Sequence, residues 1–235
     1  MTTGCVSIFY PANDLIQRVD VELFLRQAHD INYDMWETIE FLSAMVYLKG
    51  STYMRIKAEY STEIFIGQRF KTGGFDVLLR SQPGKKVSLT ALYRHKAAIY
   101  YSADPFQGTS NFMMLASNYK PLDKIHLDLS YRYSDFSDPS ANRPLYDYSI
   151  LRGKITYQMN KHFFLRAISE YNSYRSELLT DFLASFTWVP GTVVYLGYGS
   201  LYERLRWEDE RYIADERFME TTRGFFFKSS YLHRF

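Results

Sequence analysis

Cysteine is almost missing. Cys5 is the single one in 235 residues, so neither an internal disulfide nor a cysteine-based metal cluster can form. The short context MTTGC has no apolar segment before it, as a lipoprotein cleavage site would require. Long hydrophobic runs are absent too: no stretch approaches the roughly 18 apolar residues of a transmembrane helix. Charge of one sign is not in excess, since 28 basic and 26 acidic residues leave a net +2 and are interspersed. That balance excludes the concentrated basic footprint of a nucleic-acid binder. The five histidines show no HExxH or paired spacing for zinc. Gly197-Tyr198-Gly199 lacks both a third glycine and a following helix, so it is no nucleotide loop and is expected to make room for a neighbouring tyrosine ring on a strand. Nothing in Met1–Arg18 has the pattern of a secretory leader.

Aromatic residues, by contrast, are abundant: 21 Tyr, 18 Phe and 3 Trp make 18% of the chain. With a mean hydropathy of −0.29 they must be diluted among polar residues rather than gathered in blocks. The closing stretch Arg223–Phe235, RGFFFKSSYLHRF, shows how. Phe225, Phe227, Tyr231 and Phe235 fall on one face of a strand, because side chains alternate with period two, and Lys228, Ser230 and Arg234 fall on the other. A wall with hydrocarbon on one side and water on the other requires that division, and a bacterial outer-membrane barrel ends on such an assembly strand.

From residue 75 the rhythm is regular. Candidate strands are Phe75–Ser81, Lys86–Tyr100, Asn111–Tyr119, Lys124–Tyr133, Tyr146–Gln158, His162–Tyr171, Leu178–Trp188, Thr192–Tyr202 and Phe218–Phe235. In the clearest, Ile125, Leu127, Leu129, Tyr131 and Tyr133 alternate with His126, Asp128, Ser130 and Arg132. Short turns (QPGK at 82–85, KPLD at 120–123, 159–161, VPG at 189–191) alternate with mostly longer links at 102–110, 134–145 and 203–217. Residues 1–70 are less legible. Val19–Leu25, Asn32–Lys49 and Ser51–Tyr60 read as strands, Glu63–Phe70 as a further one, and Met35–Leu48 also fits a helical stripe.

The expected fold is therefore all-β: an antiparallel up-and-down transmembrane β-barrel of about 12 strands, with three of them in the first 70 residues, because single-chain bacterial barrels close with an even number. Residues 1–70 would supply the N-terminal strands of one domain and 71–235 the regular ones. A soluble aromatic-rich β-sandwich is the rival on composition.

Several segments carry a resemblance. Asp181–Leu201 (DFLASFTWVPGTVVYLGYGSL), Phe163–Tyr174 (FFLRAISEYNSY), DPFQGTS within Tyr101–Ser110 and the ending FFFKSSYLHRF together resemble the C-terminal barrel domain, of unknown function, of large Gram-negative outer-membrane proteins. In these a family-9-type carbohydrate-binding module precedes the barrel. The likeness runs from about residue 85 to the end and implies an upstream leader, a periplasmic module and additional strands, so that this chain would be a C-terminal fragment with an incomplete wall. It implies the bacterial outer membrane as location and a pore or scaffold linked to envelope carbohydrate binding or uptake as role. Outer-membrane lipid and the barrel-assembly machinery are the expected partners, together with a carbohydrate ligand, and no cofactor and no nucleic acid are expected.

Candidate functional residues lie on the polar face. His126 and Asp128 share a strand face about 7 Å apart, with Arg132 further along. A barrel-borne hydrolase would use such a pair for acid–base work, while a charged lumen lining needs only that opposite charges satisfy one another across strands. Arg166, Glu170 and Asp181 form a similar set on the next strands, as an ion-pair network or a solute-selecting constriction. Trp207 and Tyr212, in the charge-rich link, could stack on a sugar.

Overall fold

The structure, a computed structural model, describes residues 2–10, 15–139, 143–208 and 211–232, less the side chains of 143, 206, 207, 211 and 212. Among the described residues there are fourteen strands and no helix: β1 (Thr2–Phe9), β2 (Ile16–Asp30), β3 (Met35–Leu48), β4 (Thr52–Phe65), β5 (Gln68–Lys71), β6 (Gly74–Gly84), β7 (Val87–Tyr100), β8 (Phe106–Leu122), β9 (Ile125–Asp138), β10 (Arg143–Gln158), β11 (Phe163–Asn172), β12 (Glu177–Val189), β13 (Thr192–Glu208) and β14 (Arg211–Ser230). Strand order in the sheet follows chain order, except that β5 folds back on β4 alone. The fold is thus an all-β, antiparallel, up-and-down meander.

The count exceeds the expected twelve because five strands, not three, precede residue 72. β1 pairs with β2 from Thr2↔Leu25 to Phe9↔Arg18, and β5 is a four-residue return after the turn at Ile66-Gly67, both of positive φ. Met35–Leu48 is a strand and not a helix. It is hydrogen-bonded on both sides, to β2 and β4, and that pairing decides a stretch whose apolar residues fit either period.

The expected long links are also shorter than the sequence implies. β9 continues to Asp138 and β10 begins at Arg143, while β13 and β14 stay paired out to Glu208↔Arg211 with register shifts between Leu201 and Leu205. Backbone pairing does not require an apolar face, so a polar hairpin arm can extend beyond the alternating zone and look like a loop in sequence.

Packing divides the chain into two compact units: Met1–Leu115 with Arg132–Asp147, and Ala116–Tyr131 with Tyr148–Phe235. In both, burial runs opposite to that of a water-soluble domain. In the first unit Ser43, Ser61, Thr62, Asp76 and Asp135 are buried, and on β4 the charged Arg55, Lys57 and Glu59 are less exposed than Ile56, Ala58 and Tyr60 between them. In the second, Ser185 is 1% exposed and its neighbour Phe186 is 41% exposed. Among the described residues seven polar or charged side chains are buried against five apolar ones, Phe70, Ile99, Phe136, Ile168 and Leu183. The apolar residues have gone to the uncovered face.

The closing strand follows the same rule. Phe225, Phe227 and Tyr231 are 79%, 70% and 75% exposed, and the Phe225 ring lies against that of its cross-strand partner Tyr198, at 4.7 Å between centroids. Phe235 lies outside the described residues.

Candidate functional site

The polar face of the first unit concentrates charge on three adjacent strands. Register places Lys57 opposite Asp76 and Asp76 opposite Arg94, so one row crosses β4, β6 and β7. The next row is Glu59, Gly74 and Lys96. Asp76, only 1% exposed, accepts a hydrogen bond from Arg55 Nη2 at 2.8 Å, with Lys57 Nζ 3.6 Å from its other oxygen. Lys57 also donates to Glu59 Oε2 at 2.5 Å, and Ser61 Oγ donates to Glu59 Oε1 at 3.2 Å. A buried carboxylate is tolerated only when cations and donors surround it like this.

Arg94 and Lys96 make no ion pair or hydrogen bond with another side chain among the described residues, although Arg94 is the register partner of Asp76. Lys57, Glu59, Thr72, Asp76, Arg94 and Lys96 surround a recess of about 170 Å³. Gly74 shapes its floor: a Cβ there would lie 2.1 Å from the His95 carbonyl oxygen and 2.5 Å from Lys96 Cα, so only glycine lets β6 approach β7 this closely.

In the second unit His126 and Asp128 do share a face. His126 Nε2 stands 3.7 Å from Asp128 Oδ1, beyond hydrogen-bond length, while Lys154 Nζ meets Asp128 Oδ2 at 2.7 Å. The lysine from β10, not the histidine, neutralises this carboxylate, and no hydroxyl nucleophile bonds to His126 among the described residues. Arg132 belongs to the first unit and is exposed, with no partner among the described residues.

The set Arg166, Glu170 and Asp181 is divided differently. Glu170 pairs with Arg152 at 2.8 Å across β10 and β11. Arg166 and Asp181 share a face with Ile168 and Leu183, since Arg166 is opposite Leu183 and Ile168 opposite Asp181. Neither joins an ion pair among the described residues, and Arg166 Nε and Asp181 Oδ1 are buried without a hydrogen-bond partner. Trp207 and Tyr212 are register partners at the tip of the last hairpin, and their side chains lie outside the described residues.

The glycines of β13 lie within a strand. At Gly197 an added Cβ would come within 1.9 Å of Phe226 Cε1, so the ring that fills the glycine's place is a phenylalanine of β14 rather than a tyrosine. Beyond the end of β7, Tyr101 donates to Glu63 Oε1 at 2.8 Å, and its phenol is pushed up to about 12, by desolvation first and by Glu63 second.

Sequence reasoning singled out Arg132 and charges of the second unit and missed Asp76, Arg94 and Lys96. The available signal was charge at every second position on neighbouring strands, with Arg55, Lys57 and Glu59 on one and Arg94 and Lys96 on another.

Fold and face together define a large antiparallel meander with one charged face and one apolar face. No protein-family model and no curated protein matches the chain. Among solved structures it is similar to the CymD monoaromatic hydrocarbon channel, at 9% identity and a TM-score of 0.36 over 85% of this chain and 77% of that one. The toluene transporter TodX of Pseudomonas putida gives 12% identity and a TM-score of 0.35, with 85% and 77% covered. For the Ralstonia pickettii toluene transporter TbuX the values are 9% and 0.35, with 86% and 76% covered.

Proposed function

We propose that this chain forms the wall of a bacterial outer-membrane β-barrel whose charged face lines a water-filled path for solutes. One observation carries the reading: in both units polar side chains are buried while large apolar ones are exposed, as on β4, where Arg55, Lys57 and Glu59 are less exposed than Ile56, Ala58 and Tyr60. In water that arrangement loses on both counts, since apolar surface stays hydrated and carboxylates are desolvated. In a bilayer the uncovered apolar face is solvated by hydrocarbon, and the opposite face faces an aqueous lumen where fixed charges remain hydrated. The long meander fits too: between β1 and β14 each strand on the path has a hydrogen-bonded neighbour on both sides, as backbone groups in hydrocarbon require.

The test is folding of the full chain from urea into detergent micelles and phosphatidylcholine vesicles. A barrel migrates faster on a gel before boiling than after, and its insertion into a planar bilayer gives stepwise conductance. A chain that folds in buffer without detergent and shows one mobility refutes the proposal.

A further inference from the structure

We infer that the recess between β4, β6 and β7 is an oxyanion site, taking the carboxylate or phosphate head of a solute. The inference rests on the charged face being the wetted one, as proposed above. Three cations line it, Lys57, Arg94 and Lys96, with two carboxylates, Glu59 and Asp76, and a fourth cation, Arg55, bonds Asp76. Both carboxylates are already engaged, Asp76 by Arg55 and Lys57, and Glu59 by Lys57 and Ser61. The excess positive charge therefore resides on Arg94 and Lys96, which have no anion of their own among the described residues.

Geometry makes these two a pair. They are two apart on one strand, so their side chains leave the same face about 7 Å from each other. Both line the same recess, which Gly74 keeps open by contributing no side chain. A volume of about 170 Å³ accommodates a carboxylate or phosphate group with its remaining water. A guanidinium offers two parallel N–H donors to such a group, and the ammonium adds a point charge beside it. Asp76 has a second role in this arrangement. By holding Lys57 at 3.6 Å and Arg55 at 2.8 Å it fixes one side of the recess. Like cations crowded in a partly buried wall repel one another, and an anion between them removes that cost.

The experiment uses the full chain refolded in detergent, titrated calorimetrically with inorganic phosphate, with benzoate, and with tetraethylammonium as a cation control. Phosphate or benzoate is expected to bind at one site, and which of them binds identifies the head group. Arg94→Gln and Lys96→Gln remove no ion pair among the described residues, so the barrel should fold unchanged. Each should weaken binding by roughly tenfold, the size of one charge-assisted hydrogen bond. Lys85→Gln, in the β6–β7 turn, should leave affinity unaltered. A chain with the folded gel mobility that binds neither anion, or binds tetraethylammonium instead, overturns the inference while the membrane reading stands. Anion binding by a chain that never enters bilayers would do the reverse.

Discussion

Leu129→Arg separates a lipid-facing surface from a merely exposed one. Leu129 is 58% exposed on β9, between Asp128 and Ser130, which point the other way. If water covers that face, an arginine there changes stability by no more than about 0.5 kcal/mol, as at most surface positions. If hydrocarbon covers it, depth sets the cost. Leu129 is the fifth residue of β9, so four steps of about 3.3 Å along a strand tilted about 40° place it roughly 10 Å above the turn, near the middle of an apolar band about 25 Å tall. At that depth arginine costs about 2–4 kcal/mol, a factor of roughly 30 to 1,000 in the folding equilibrium. The measurement is the urea dependence of the folded fraction in short-chain phosphatidylcholine vesicles, read by gel mobility without boiling. Ser130→Arg is the internal control, since it sends the same guanidinium to the charged face. Equal midpoints for the two variants, or a Leu129→Arg penalty within 0.5 kcal/mol, would refute the assignment of the faces.

Asp76→Ala should destabilise the folded chain by about 3–5 kcal/mol, because Arg55 and Lys57 lose the carboxylate that neutralises them; the same vesicle titration measures it. Gly197→Ala should cost about 1–3 kcal/mol, since its Cβ would overlap Phe226 at 1.9 Å, and Phe226→Ala in the same chain should recover much of that loss in a double-mutant cycle. Tyr101 should ionise near 12 rather than at its ordinary 10.0, seen as the phenolate absorbance missing from Tyr101→Phe. Since its folded pKa is the higher one, the stabilisation from the neutral phenol is complete below pH 10 and is lost as pH rises through about 12.

The nine strands after residue 75 are legible because turns rich in Pro, Gly and Asn punctuate them and several alternate apolar with polar residues, Lys124–Tyr133 without interruption. Alternation marks where a strand has two different environments; it does not mark where pairing stops. Ser134–Leu145 and Glu203–Arg217 read as loops because two prolines in the one and dense charge in the other outweigh their few apolar residues, yet β9, β10, β13 and β14 continue into them. β1 is hidden for a related reason: all eight residues are exposed, and neither face is distinguished by burial. The charge cluster was harder still. A lone Asp76 in an apolar strand has no meaning until register places it between Lys57 and Arg94, and register is not written in any one strand. For His126 and Asp128 the sequence brings the pair onto one face, but the residue that neutralises Asp128, Lys154, comes from β10.

The apolar face also discriminates among the things that could cover it. A soluble sandwich would bury these residues against a second layer, whereas they are exposed. A partner protein would cover a patch of limited extent, bounded by polar residues. In the second unit the exposed apolar residues recur instead on six successive strands: Leu129, Leu151 and Ile155, Leu165, Phe182, Leu196, then Phe225 and Phe227. An environment contacting every strand in turn, at similar depth and without preference for one shape, behaves as a solvent. On the proposed reading that solvent is hydrocarbon, which favours those side chains and leaves the charges of the other face to water.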